Sequence, residues 1–207
     1  MTGRRGVNPA VSDQPFGLTL TAEPGTEPLS ITDAKAHLRI DTTDEDAYID
    51  CLIIASRQFA ETFMKRSIID QTWTLFLDRF PSDDQCIQLP NPRLSSVASV
   101  KYNQEVDGLQ VVFDAAKYIV DVNREPGRIA LAFDQIWPDT RRQINAVEIE
   151  FVAGYGESDE DVPDEIRHAI KIMVSHLFEV REPVIVGTIV SNVPDSARAL
   201  LWNHRTF

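Results

Sequence analysis

The chain has 207 residues, 43% of them hydrophobic, which is enough to bury the core of one domain with or without a sizeable insertion, and excludes a disordered protein. With 32 acidic and 20 basic residues the formal net charge is -12, which disfavours a surface that binds nucleic acid by neutralising phosphates. An acidic wall still lets DNA slide past without adhering, although plain solubility is the simpler interpretation of this charge.

The two cysteines, Cys51 and Cys86, are too few for a disulfide scaffold or a four-thiolate metal site. We interpret both as buried small hydrophobic side chains. No apolar run approaches the roughly 20 residues that a membrane-spanning helix needs, and the N-terminus lacks the apolar core of a signal peptide. We therefore expect a soluble protein made in the cytosol.

Residues 1–28 are rich in glycine and proline and show little periodicity. This composition predicts a flexible N-terminal arm that only a partner would order. Ser30 then precedes an apolar rhythm, and its hydroxyl can accept a hydrogen bond from the free N–H groups at the start of a helix. The pattern predicts a first helix over residues 31–39.

From Asp44 to about residue 66, apolar side chains recur at spacings of three and four, the period of an amphipathic helix. The face predicted to be buried carries Tyr48, Leu52, Ala55, Phe59 and Phe63. The polar side is marked by Asp50, Arg57, Glu61 and Lys65. Burial of the larger apolar side chains would contribute roughly 10 kcal/mol before ordering entropy is subtracted, so this helix should organise the helical core.

The hydrophobic period changes from 3.6 to 2 in the middle of the chain. Alternating or β-branched runs predict strands at residues 69–78, 86–89, 97–102, 109–113, 118–122, 128–132 and 147–153. Turn residues separate several of these runs, notably Asp107-Gly108 and Glu125-Pro126-Gly127. We predict a mostly antiparallel β-domain over residues 68–155.

Helical periodicity returns after the acidic cluster at residues 157–161, which lacks the alternating ligands and central glycine of a calcium-binding loop. We interpret the cluster as a solvated loop whose charge favours the start of the next helix. Pro163 suits the first turn of that helix, and a buried stripe follows from Ile166 to Phe178.

The simplest architecture is an α+β fold in which a small helical bundle carries an inserted, mostly antiparallel β-domain. Residues 29–67 and 156–182 form the bundle, and residues 68–155 form the insert. Extended arms flank this core, at residues 1–28 and at residues 183–207. The second arm is predicted to dock on a partner and to end in a short helix.

No sequence motif for catalysis is present. None of His37, His168, His176 and His204 lies in a metal-binding motif or near a cysteine pair. Glycine-rich phosphate loops and a nucleophile elbow are also missing from the sequence. We therefore predict no catalytic residue, no cofactor and no bound metal, and hence a protein that is not an enzyme.

The densest basic feature is Arg141-Arg142, with Arg124 and Arg128 nearby in sequence. These side chains are candidates for contact with DNA or with an acidic partner. Salt bridges across the strands of an acidic protein are the simpler interpretation.

The C-terminal arm contains the most apolar candidates for assembly. Its β-branched stretch, read either as a docking strand or as an ordinary core strand, comprises Val184, Ile185, Val186, Gly187, Ile189 and Val190. After Pro194 come Leu200, Leu201 and Trp202 on a helix too short to be stable alone. We expect a portal or a neighbouring subunit, rather than the core of the same chain, to cover these side chains.

Several short stretches, in order and at characteristic spacing, resemble the head-tail connector or adaptor proteins of tailed phages, prophages and gene transfer agents. The matching stretches include Glu27–Ser30, Ala34–Arg39, Gln71–Trp73, Asp78–Pro81, Arg124–Ile129, Trp137-Pro138, Phe151–Gly156, Val162-Pro163 and Arg181–Thr188. The resemblance covers roughly residues 23–203. It does not extend to the first 22 residues or to the acidic loop.

The resemblance implies a helical bundle with an inserted β-domain that assembles as a ring, expected to be twelvefold, below the portal. Such a ring extends the DNA channel and gives the next tail-side protein a platform. The implied partners are the portal protein, neighbouring adaptor subunits, a tail-side stopper or completion protein, and passing DNA that is not tightly bound. The implied location is the head-tail junction of a virion assembled in a bacterial cytoplasm, with no membrane.

Two alternatives stay open on the sequence. One is a tail-completion or head-closure protein from the same assembly. The other is a ligand-binding accessory protein or enzyme that uses the β-region as a platform, which a convergent pocket with a perturbed titratable pair would favour.

Overall fold

The computed structural model describes residues 16–82, 85–180 and 194–206. Within them, residues 16–23 and 71–153 form one compact unit, here the β unit, and residues 24–70, 154–180 and 194–206 form a second, the helical unit. The predicted α+β class is confirmed. Each of the seven predicted strand segments overlaps a strand of the structure, because alternation at period 2 is a strong local signal.

The β unit consists of two antiparallel sheets. Its strands are β1 Gly17–Ala22, β2 Gln71–Leu77, β3 Ile87–Gln88, β4 Leu94–Asn103, β5 Gln110–Val112, β6 Tyr118–Asp121, β7 Arg128–Leu131 and β8 Val147–Ala153. The larger sheet has the order β1-β2-β8-β4-β5, and the smaller sheet has the order β3-β7-β6. Every pairing within the two sheets is antiparallel.

Strand β8 shows how the alternating sequence builds this core. It pairs with β2 from Val147 opposite Leu77 to Ala153 opposite Gln71. Its odd-numbered residues are all buried, whereas Glu148 is only partly covered. Because successive side chains of a strand point to opposite faces, this register sends one apolar face into the core.

Stacked aromatic rings form one part of the β-unit core. Trp137 stacks on Phe80 with ring centroids 4.8 Å apart, and Phe113 lies 5.6 Å from Trp137. Phe80, Phe113 and Trp137 are all buried. This stacking holds the segment between β7 and β8 against the core.

Strand β1 corrects the prediction of a flexible arm over residues 1–28. Residues 17–22 are ordered by pairing with β2, from Gly17 opposite Phe76 to Ala22 opposite Thr72. Leu18 packs against the β-unit core, so this edge strand buries apolar surface. The order comes from the chain's own sheet rather than from a partner.

The helical unit contains four helices: α1 Ile31–Leu38, α2 Asp46–Met64, α3 Asp164–Glu179 and α4 Asp195–Trp202. Ser30 caps α1 as predicted, because its hydroxyl oxygen accepts from the backbone N–H of Asp33 at 3.0 Å. Residues from all four helices share one buried cluster, which includes Ala34, Ile53, Ile170 and Leu201.

The buried face of α2 differs from the predicted one. The buried residues are Ile49, Leu52, Ile53, Ser56, Arg57, Ala60 and Met64. Ala55 and Phe59, expected in the core, are exposed, and Arg57, expected on the polar side, is buried. Apolar residues occur around most of this helix, so their period predicts a helix but does not predict which side of it is buried.

Cys51 is also exposed, and Cys86 is partly buried, so the expectation that both thiols are buried was wrong. Cys51 lies one helical turn from Ala55 on the exposed side of α2. Among the described residues, no helix combines the length and the hydropathy needed to cross a membrane.

Candidate assembly surface

Helix α4 packs on the core of its own helical unit. Ala197 and Leu201 are fully buried there, and Leu200 is partly covered. The backbone N–H of Thr206 donates to the carbonyl of Met64 at 2.9 Å and so ties the residues after α4 to the end of α2.

These contacts correct the prediction that a portal or neighbouring subunit covers the whole C-terminal arm. Leu201 is covered by the chain itself. A helix as short as α4 is not stable alone, and the burial of Ala197 and Leu201 stabilises it. Trp202, the next residue, is 52% exposed. The candidates Val184, Ile185, Val186, Gly187, Ile189 and Val190 lie outside the described residues.

Trp202 belongs to a surface cluster that we call the aromatic–arginine face, formed by Phe59, Phe63, Arg198, Trp202 and Arg205. Phe59 stacks on Phe63 with centroids 6.2 Å apart and an interplanar angle of 13°, and Phe63 lies 6.3 Å from Trp202. Phe59 is 37% exposed. The aromatic rings therefore form a continuous strip from α2 to α4.

Two guanidinium groups cover parts of this strip. The Cζ atom of Arg198 lies 5.7 Å from the centroid of Phe63, and that of Arg205 lies 5.6 Å from Phe63 and 5.2 Å from Trp202. Cation–π attraction holds both arginines in place. Within the described ranges Arg198 makes no ion pair.

The exposed side of α2 continues this face without a charged residue from Ala47 through Cys51, Ala55, Phe59 and Thr62. A quarter of the chain is charged, so five exposed uncharged positions on one helix are unusual for a merely solvated surface. Trp, Arg and Phe are the side chains that interfaces favour. The face has the composition of an assembly surface.

An ion network around the buried Arg57 side chain holds α2 beneath this surface. Arg57 donates from Nε to Glu27 Oε2 at 2.8 Å and from Nη1 to Glu61 Oε2 at 3.0 Å. Glu61 also accepts from the backbone N–H of Ile68 at 3.0 Å. Burial alone would lower the pKa of the Arg57 guanidinium, but the hydrogen bond and the charge of Glu27, together with the charge of Glu61, raise it. Arg57 is therefore charged and fully engaged.

The turn between β4 and β5 forms a second exposed feature, which we call the hairpin tip, residues 105–109. Val106 is 96% exposed and Leu109 is 62% exposed, and Glu105 and Asp107 stand beside them in the sequence. Gly108 has a φ of 71°, in the left-handed region that favours glycine.

Hydrogen bonds make the hairpin tip rigid. Gln104 N donates to the carbonyl of Leu109 at 2.9 Å, and Leu109 N donates to Asp107 Oδ1 at 2.9 Å. Arg141 N donates to the carbonyl of Asn103 at 3.0 Å, so the loop before β8 supports the turn.

The basic pair lies in that loop, and both arginines are exposed. Arg141 donates from Nη1 to the carbonyl of Asp107 at 3.3 Å, so it supports the hairpin rather than a cross-strand salt bridge. Arg128 does form such a bridge, to Asp121 at 3.0 Å across β6 and β7. The described part of the chain offers Arg142 no ion pair. A contact of Arg141 or Arg142 with DNA stays a prediction.

The three described segments contain no cluster of His, Cys, Asp and Glu side chains that could hold a metal ion. Of the acidic residues at 157–161, Asp159, Glu160 and Asp161 form a 3-10 turn capped by Ser158, in which Ser158 N donates to Asp161 Oδ2 at 3.1 Å and Glu160 N donates to Ser158 Oγ at 3.2 Å. The prediction that the chain is not an enzyme stays a prediction.

The head completion protein family matches residues 27–207, which is most of the chain. The chain belongs to the head completion protein family. Membership makes it a structural component of a phage-like virion, and the predicted resemblance to this group of proteins is confirmed. No curated protein matches the chain.

Solved structures from gene transfer agent particles have the same fold as this head completion protein. A chain from the neck of an empty particle, computed with C6 symmetry, is 22% identical, with a TM-score of 0.74 over 92% of this chain and 96% of that one. A chain from the virion of a native particle is 20% identical, with a TM-score of 0.73 over 92% and 95%. A chain from a native neck, computed with C12 symmetry, is 20% identical, with a TM-score of 0.67 over 92% and 96%.

Most of the aromatic–arginine face of this head completion protein was not predicted from the sequence. Phe59 was expected in the core but is exposed, Phe63 is partly buried against the core, and Arg198 and Arg205 had no predicted role. The available signal was the uncharged series at spacing four from Ala47 to Phe59 on an otherwise charged chain. The partners of Arg57 could not be found locally, because Glu27 lies in another segment.

Proposed function

We propose that the protein is a head-tail adaptor that assembles as a ring on the portal, extends the DNA channel and forms the platform for the tail. The observation that carries this proposal is the family match over residues 27–207. The aromatic–arginine face supports it, because a structural subunit needs an exposed surface with interface composition.

The proposed ring contains twelve subunits. In its support, a chain of the same fold lies in a gene transfer agent neck computed with C12 symmetry. Identical subunits that join through two different surfaces close a ring when the rotation per subunit divides a full turn. A portal that holds neighbours at high local concentration then allows each pairwise contact to be weak.

The proposed partners are the portal on the head side, neighbouring adaptor subunits within the ring and a stopper or completion protein on the tail side. DNA passes through without tight binding. The net charge of -12 supports this last point, because an acidic wall repels a polyanion.

A head-closure role is the second candidate, and the family's description as head completion proteins favours it. An adaptor binds the bare portal, whereas a closure protein binds only after another neck protein has bound. The order of binding therefore separates the two roles.

The test is co-sedimentation of the purified protein with bare portal rings. The wild type should sediment with the portal, Trp202→Ala should need a higher protein concentration to do so, and Thr32→Ala, an exposed change on α1, should behave as the wild type. Binding that appears only after a second neck protein is added would replace the adaptor role with the closure role. Absence of binding under both conditions would contradict both.

A further inference from the structure

We propose that the hairpin tip of one subunit docks on the aromatic–arginine face of the next subunit in the ring. This inference rests on the proposed ring and names the two surfaces that join its neighbours. The occupant of the face is thus a second copy of this chain.

The hairpin tip is a hydrogen-bonded turn that exposes apolar side chains. Val106 and Leu109 are the apolar side chains of the tip, and both are exposed. Because the turn is fixed by its own hydrogen bonds and by Arg141, docking orders little additional backbone. A rigid apolar protrusion of this kind gains free energy when a partner removes it from water.

The side chains of the aromatic–arginine face are also held in position before binding. Phe63 lies between the rings of Phe59 and Trp202, and cation–π contacts hold the arginines over the rings. The side chains therefore lose little freedom on binding. Aromatic and arginine side chains that are already packed in this way are typical of the energetic centre of an interface.

The charges of the two surfaces are complementary. Glu105 and Asp107 flank Val106 on the hairpin tip, whereas Arg198 and Arg205 lie over the aromatic strip. Arg141 contacts the turn and offsets part of its negative charge, which leaves Glu105 as the carboxylate best placed to meet Arg198.

The same charges disfavour a two-fold dimer. Two copies of the aromatic–arginine face pressed together would oppose arginine with arginine, and two hairpin tips would oppose carboxylate with carboxylate. Contact between unlike surfaces avoids both repulsions. Such heterologous contact is the type that generates a closed ring.

Charge reversal tests the contact in the presence of portal rings. Glu105→Arg and Arg198→Glu should each raise the concentration needed for half-maximal ring assembly about tenfold. The double variant that carries both changes should bring this concentration most of the way back to the wild-type value. Glu179→Arg, an exposed reversal at the end of α3, is the control and should leave assembly unchanged.

Disulfide trapping provides the second measurement. In a chain with Cys51→Ser and Cys86→Ser, cysteines are placed by Val106→Cys on the tip and by Thr62→Cys beside Phe63. Portal-bound rings of this variant should oxidise to a ladder of crosslinked species that extends beyond the dimer, because each subunit links to two neighbours. Either single-cysteine variant should give no ladder.

The outcomes separate this inference from the proposed function. Rings that form normally with each charge reversal and give no ladder would contradict the docking contact and leave the adaptor role standing. Dimers without higher species would indicate two-fold pairing and would also contradict it. A wild type that never assembles on the portal would contradict the proposed ring and, with it, this contact.

Discussion

Leu201 and Trp202 are neighbours in sequence that face different directions from α4: Leu201 is fully buried in the core of the helical unit, and Trp202, about 100° further around the helix, is 52% exposed and contacts Phe63 and Arg205. One helix therefore serves the fold with one face and presents an assembly surface with the other. This separation allows stability and assembly to be altered independently.

Leu201→Ala should lower the free energy of unfolding by about 2–5 kcal/mol, because it leaves a cavity in the core. Trp202→Ala should lower it by about 1 kcal/mol or less, since the indole is half exposed. Chemical denaturation of both variants measures the difference. Equal losses would show that Trp202 is as important to the fold as Leu201.

Arg57→Met should lower the free energy of unfolding by about 1–3 kcal/mol, because it removes the cation that the partly buried carboxylates of Glu27 and Glu61 share. Arg128→Met is the matched control, since Arg128 pairs with Asp121 at a similar distance on the surface, and it should change stability little. Denaturant titration of the two variants provides the comparison. A loss from Arg128→Met as large as that from Arg57→Met would contradict the structural role of the network around Arg57.

Stability should rise with pH in the range just below 6.5 through His37. Loss of hydration lowers the pKa of His37 from its usual 6.5, and the charges of Lys171 and His168 lower it further. The unfolded chain then binds a proton more readily than the folded one, so the free energy of unfolding falls as the pH drops through 6.5 toward the folded-state pKa. His37→Asn should flatten this part of the stability profile, and an unchanged slope would contradict the assignment.

Duplex DNA should bind weakly at physiological salt and without sequence preference, because a protein with a net charge of -12 repels the phosphate backbone. Arg142→Ala should weaken the residual binding slightly, and it is a cleaner variant than a change at Arg141, which supports the hairpin. A fluorescence-anisotropy titration in increasing salt measures both effects. Submicromolar affinity that depends on Arg142 would make the basic pair a DNA-binding site.

The sequence predicted the positions of the helices and strands better than it predicted which of their side chains are buried. Period-2 alternation located the strands, and period 3.6 located α2 and α3, because both signals are local. Strand β1 was missed although Leu18 and Leu20 alternate with threonines, since the surrounding glycines and prolines masked this short run.

The orientation of α2 and the role of α4 depended on contacts that are distant in sequence. Arg57 can be buried because Glu27, from another segment, pairs with its charge. Leu201 is buried because it packs against apolar side chains of α2 and α3. No local pattern carries that information. Among the described residues, only the exposed side of α4, including Trp202 at its end, therefore remains a candidate for docking.

The most direct test of the adaptor role is electron microscopy of the purified protein mixed with bare portal rings. We expect a continuous ring of added density on the tail-side end of the portal, with one subunit per portal subunit and an open central channel. Portal particles without added density, or density that blocks the channel, would contradict it.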